Sequence, residues 1–185
     1  MRSLAMLLAA IPVIAVAQTP AAKAPFVLMS PDIKAGAKIP ESHVLHAMGC
    51  TGNDVSPALS WSGAPAATKS LALTIYDPDA PTGSGWWHWS VYNIPANVTS
   101  LAEGAGDSTG HLLPAGAMQG PTDFGRPGYG GPCPPKGEVH HYHFTLFALD
   151  VDKLDIPPGV TAAYVGFNLH MHTIATAKLT AIYSH

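Results

Sequence analysis

Eighteen glycines and eighteen prolines are spread through a chain of 185 residues, and they limit what it can fold into. Proline removes a backbone donor and fixes φ, while glycine marks tight turns. A long-helix bundle is therefore excluded in favour of short strands joined by many turns. The length suits one domain with one sizeable core, and 47% apolar residues is ordinary for a globular protein. Charge is scarce. Asp, Glu, Lys and Arg together make up 11%, against roughly 25% in an average soluble protein. Without charged heptads or a strict glycine period, coiled coil and collagen are excluded. A net charge of −3 with no basic run argues against nucleic-acid binding through phosphate neutralisation. Ten His outnumber the nine Lys plus Arg, so polar chemistry leans on imidazole.

Residues 1–17 read as a secretory signal peptide. Arg2 supplies the positive start, Leu4 to Ile14 the apolar stretch, and Ala15-Val16-Ala17 the small-x-small pattern that precedes cleavage. The apolar run is shorter than the roughly 20 residues of a spanning helix, so a retained anchor is the lesser reading, and no later stretch could form an integral membrane span. Cleavage would leave eight basic and twelve acidic residues, a net charge of −4. Residues 18–25 (QTPAAKAP) follow as a flexible leader, and residues 26–185 form the domain. The expected location is periplasmic or secreted. In such an oxidising compartment Cys50 and Cys133 are expected to form a disulfide, with two buried free thiols as the open alternative.

Apolar alternation recurs in short pieces. Leu71, Leu73 and Ile75 mark a strand ended by Asp77-Pro78-Asp79-Ala80-Pro81. In the next, alternation puts Trp87, Trp89 and Val91 on one face and His88, Ser90 and Tyr92 on the other. Val139 to Leu149 is β-favouring and nearly apolar on both faces, which places it inside a sheet covered on both sides. Residues 104–137 are Gly- and Pro-rich without periodicity, the mark of a long functional loop. Val160, Tyr164, Phe167, Met171 and Ile174 recur at spacings of three and four, predicting a helix over Thr161–Thr173 after the Pro157-Pro158-Gly159 stop. Ala177 to Tyr183 alternates again and closes the chain as a strand.

Three segments carry candidate chemistry. Asp77 and Asp79 sit in a stiff proline turn, and His88 stands among the indoles of Trp86, Trp87 and Trp89. The tract from Gly128 to Gly137 runs into His140-His141-Tyr142-His143, where glycines can bring backbone N–H groups close to a ligand. Strand alternation puts His140 and Tyr142 on one face and His141 and His143 on the other. That division, and the roughly 200° between His170 and His172 on a helix, sets these five histidines apart as metal ligands. No H-E-x-x-H motif is present, and the G-x-S-x-G match at Gly106 to Gly110 lies in the aperiodic loop rather than at a strand-to-helix elbow, so no metal and no catalytic nucleophile are assigned.

DPDAP, HWSVYNIP, and GPCPPKG with HHYHFTLFALD resemble the two signature blocks of the phosphatidylethanolamine-binding protein family, in its bacterial Raf-kinase-inhibitor-like branch. The resemblance spans about residues 26–185 in the right order. It implies a two-sheet antiparallel β-sandwich with a C-terminal helix and a closing strand, no cofactor, and a small anion pocket for phosphate or phosphorylated head groups. The implied ligand-binding residues are Asp77, Asp79, Pro81, Trp86, His88, Gly131, His140 and Tyr142. Two departures stand out: His141 replaces the common Arg between His140 and Tyr142, and Pro81 to His88 is short. With no Lys or Arg at the matched positions, the donors would be His88, His140, the Tyr142 hydroxyl and loop N–H groups. Asp77 would then charge a His that faces the phosphoryl group. The function expected is an exported binding or regulatory protein, its protein partner unknown. The alternatives are an inhibitor of a protease or other enzyme acting through a surface loop, and an acid–base hydrolase using Asp77, His88 and His140.

Overall fold

The computed structural model describes residues 24–185; the expected signal peptide and most of the leader lie outside the described residues. Two antiparallel sheets face one another. The smaller has the order β1-β2-β5, from β1 (Val27–Met29), β2 (Leu59–Ser62) and β5 (Ser100–Leu101). The larger has the order β6-β4-β3-β7-β8, from β3 (Ser70–Asp77), β4 (Trp86–Pro95), β6 (Met118–Gln119), β7 (His140–Leu149) and β8 (Thr173–Tyr183). Helix α1 spans Ala162–His172 and runs directly into β8. The sandwich, late helix and closing strand match the expected fold class.

The main core lies between the sheets, where Leu28, Leu59, Trp61 and Leu101 meet Leu73, Ile75, Val91, Phe144 and Leu146. A second cluster lies on the helix side of the large sheet, built from Ala72, Tyr92, Leu149, Leu154, Val165 and Leu169. Strand β7 sits between β3 and β8 and is covered on both faces, as its near-continuous apolar run requires. Residues 104–137 are largely irregular, apart from the two residues of β6 that pair with Val91 and Tyr92. Cys50 and Cys133 form the expected disulfide, with Cα atoms 6.0 Å apart. Closing a loop between residues 83 apart in sequence stabilises a fold by about 4–5 kcal/mol in the chain-entropy account.

Two expectations are corrected. Alternation along β4 fails at His88. Trp87 pairs with Tyr76 and Trp89 with Ile75, so His88 is the extra residue of a β-bulge. The bulge turns His88 toward the same side as Trp89, and Trp87 instead packs against Tyr76 and α1 near Gly166. The helix stands where predicted, capped by the Thr161 side chain accepting from the Tyr164 N–H, but the periodic residues that marked it face outward. Tyr164, Phe167, Met171 and Ile174 are exposed, while Ala162, Val165 and Leu169 are buried. Both sets recur at helical spacing, so periodicity alone did not separate them. The sheet selects the arc with Ala162 and Gly166, where Gly166 lets the backbone come close to Trp87. Leu169 is 1% exposed and Phe167 63%. In urea denaturation of the oxidised protein, Leu169→Ala should cost about 2–5 kcal/mol, and Phe167→Ser within about 0.5 kcal/mol.

Candidate functional site

At the end of β3 the proline turn builds an anchor. Pro78 and Pro81 have no N–H to offer, and the Asp77 carboxylate accepts from the N–H groups of Asp79 (2.8 Å) and Ala80 (3.2 Å). Gly85, at φ +70°, then brings the chain into β4 against the Tyr76 hydroxyl and the Asp77 carbonyl, where a Cβ would collide. Register places Trp86 opposite Asp77, and the bulge adds His88. Strand β7 supplies His140 and Tyr142. Together these residues line a cavity of about 450 Å³, which Leu45, Phe124 and the Gly131–Lys136 stretch also border.

Of the expected ligand-binding residues, the cavity gathers Asp77, Pro81, Trp86, His88, Gly131, His140 and Tyr142. Asp79 is not among its lining residues. Its carboxylate accepts from both the backbone N–H and ring Nδ1 of His141 at 2.7 Å, pinning the proline turn to β7. Desolvation opposes this, but the His141 hydrogen bonds hold the Asp79 carboxyl below the usual carboxylate range. His141 thus has a structural partner where the family pattern has Arg. The other histidines considered as metal ligands are dispersed: His143 bonds Thr180, His172 bonds Asp150, and His170 lies exposed.

The two cavity histidines differ in kind. His140 is buried with Nδ1 2.8 Å from the Asp77 carboxylate and Nε2 3.0 Å from Glu138. Burial works against a charge here, but Glu138 and Asp77 outweigh it and hold the pKa above that of an ordinary imidazole. With both nitrogens taken, His140 has no N–H left for a ligand. His88 donates Nδ1–H to the Gly130 carbonyl at 2.7 Å, so the lone pair of the neutral ring sits on Nε2. Burial lowers its pKa, more than Gly130 and Asp77 can restore. Its ring stands edge-on to Tyr142 (5.1 Å between centroids) and Phe124 (5.5 Å). The Tyr142 hydroxyl lies against Asp77, and desolvation with that carboxylate raises its pKa far above the usual phenol range.

The glycine tract is also mostly committed. Gly130 N–H donates to the His88 carbonyl and Gly131 N–H to Asp54, so neither is open to a ligand. A side chain at Gly131 would collide with the His43 carbonyl, which explains why glycine stands there. Between the prolines, the Cys133 N–H makes no hydrogen bond among the described residues. Sequence reasoning missed Glu138, Asp54, Phe124 and Lys136. Lys136 lines the cavity from outside the matched positions, none of which is a Lys or Arg. Glu138 could have been found: it lies two residues before His140 in the same signature block.

A β-sandwich with an aromatic cavity built on a buried Asp–His pair defines a ligand-binding protein. The chain belongs to the phosphatidylethanolamine-binding protein family, whose sequence model matches residues 29–184. It is similar to the UPF0098 proteins YbhB and YbcL of Escherichia coli (strain K12). YbhB is 50% identical over 157 residues, covering 85% of this chain and 99% of that protein. YbcL is 52% identical over 161 residues, covering 86% and 88%. The crystal structure of E. coli YbcL, described as a new member of the mammalian PEBP family, superposes with a TM-score of 0.85 and covers 88% of this chain and 99% of that one. A phosphatidylethanolamine-binding protein from Plasmodium vivax, 16% identical with a TM-score of 0.55, shares the fold alone.

The two histidines give opposite pH dependences. The raised pKa of His140 adds stability that is complete below about 6.5, the unfolded value, and is lost as pH rises through the folded pKa. The lowered pKa of His88 adds stability that is present above about 6.5 and is lost as pH falls toward its folded pKa. Glu138→Gln should lower the His140 midpoint, read by NMR titration of its ring proton, and should reduce the stability lost as pH rises above about 6.5. An unmoved midpoint would assign the raised pKa to Asp77 alone.

Proposed function

We propose that this chain is an exported binding protein whose cavity takes the protonated, monoanionic form of phosphate or of a phosphorylated head group. The observation that carries this reading is His88: its Nδ1–H is committed to Gly130, and burial favours its neutral form. Nε2 then presents an acceptor in a cavity also lined by Lys136 and Cys133. A neutral acceptor suits a P–OH or head-group ammonium, while the Lys136 ammonium and the Cys133 N–H suit the phosphoryl oxygens. This revises the expected arrangement, in which Asp77 charges a His that faces the phosphoryl group. The His that Asp77 charges is His140, and its second nitrogen is held by Glu138. Trp86 and Phe124, 5.4 Å apart in an edge-on pair, form an apolar wall for the rest of a head group. The family's name and the YbcL-like fold support a lipid-head-group chemistry without naming the ligand.

Calorimetric titration with phosphoethanolamine tests this. Its second phosphate pKa is about 6, so affinity should rise about tenfold or more from pH 8 to pH 5.5, as the monoanion forms and meets the neutral His88 ring. Equal affinities would reject the reading. His88→Asn keeps a donor at the Nδ1 position for Gly130 but removes Nε2, so it should abolish the response while leaving the fold intact.

Export is part of the same proposal. The sequence of residues 1–17, the Cys50–Cys133 bridge, and similarity to a putative lipoprotein LppC of Mycobacterium tuberculosis (38% identical over 169 residues) support it. Intact mass of protein recovered from the periplasm or culture medium should correspond to a chain beginning at Gln18. A full-length mass in the cytosol would reject it.

A further inference from the structure

The cavity rim carries a group of side chains to which the proposed binding reaction gives no role. Cys50, Cys133 and His185 bring two Sγ atoms and a ring nitrogen within 4.8 Å of one another. Among the described residues, this is the one place where three ligating side chains converge so closely. Cys50 Sγ lies 3.7 Å from His185 Nδ1.

That spacing has a metal-site meaning. With Zn–S near 2.3 Å and Zn–N near 2.0–2.1 Å, neighbouring sulfur and nitrogen corners of a tetrahedron stand about 3.6 Å apart, and two sulfur corners about 3.8 Å. The sulfur–nitrogen edge is therefore already in place. The sulfurs need only separate from bonding contact to about 3.8 Å. Small side-chain rotations on Cα atoms 6.0 Å apart can provide this. The backbone holds each ligand independently of the disulfide. Cys50 N–H donates to the Ala47 carbonyl, and Cys133 lies between Pro132 and Pro134, with the Pro132 carbonyl accepting from Leu45. The His185 carbonyl accepts from Gly137. Reduction thus removes a bond between three anchored ligands without removing the anchors.

We propose that reduction of the Cys50–Cys133 disulfide converts the cavity rim into a zinc site, with the two sulfurs and His185 as ligands and a fourth position open to water. A dithiol reductant supplies two electrons and two protons. The S–S bond breaks to give two thiols, and the reductant closes to its own disulfide. Zinc binding then releases the two thiol protons to solvent as Zn–S bonds form. A soft S₂N donor set is suited to zinc. The oxidised protein has no thiolates to offer, so metal uptake reports the redox state. This inference is independent of what occupies the cavity.

The test is zinc titration of the full mature protein against a chromophoric chelator, oxidised and after reduction with a phosphine that does not compete for metal. Reduced protein should take up stoichiometric zinc, and oxidised protein none at the same concentrations. Cobalt should give thiolate charge-transfer absorption in the reduced protein. His185→Ala, at an exposed position, should weaken uptake by at least about tenfold, the low end of what loss of an outer-shell partner costs. Circular dichroism follows the fold throughout, and zinc that restores a fold lost on reduction also supports the site. Any of the following would overturn it: no uptake by reduced protein, native affinity in His185→Ala, zinc retained by Cys50→Ser/Cys133→Ser, or reduced protein that stays unfolded with zinc present.

Discussion

A carboxylate taken out of water has to be met by donors, and the site is organised around meeting Asp77, which is 3% exposed. Two of its partners are local N–H groups of the proline turn, and a third is the His140 ring from a strand 63 residues further along the chain. These bonds fix the turn after β3 against β7. The same turn is pinned a second time, outside the cavity, by Asp79 and His141. With the turn held at both carboxylates, β4 can re-enter opposite Asp77 and carry Trp86 and His88 to the cavity.

The scarcity of charge has a structural cause. The large sheet is covered by the small sheet on one face and by α1 on the other, so its strands have little room for ions. Asp77 and Lys178 are the only Asp, Glu, Lys or Arg in those strands. The histidines take over local polar duties instead: His140 and His141 tie β7 to the turn, His143 bonds β8, and His88 bonds the glycine tract. Their abundance reflects structural pairing more than a shared site.

Strands at Leu71–Ile75 and Val139–Leu149, the helix after Pro157-Pro158-Gly159, and the two signature blocks could all be read from the chain. Each depends on local pattern or on residue identity at fixed spacing. The faces were harder. The bulge at His88 exists because β3 pairs with β4 in a shifted register, and nothing within WWHW announces the shift. On α1, two apolar arcs competed, and the choice depended on how closely Gly166 approaches Trp87. The glycine tract drew attention as a source of free amides, yet distant Asp54 and the His88 carbonyl occupy the two that matter.

By itself the sequence determined the family, the β-rich class and seven of the residues that line the cavity, because these are carried by short motifs and by alternation along single strands. Tertiary structure alone decided the chemical roles. His140 and His88 look alike in sequence, but one lies between two carboxylates and the other is buried against a carbonyl and two aromatic rings. Charge on an imidazole depends on what surrounds it, and those surroundings come from residues tens of positions apart.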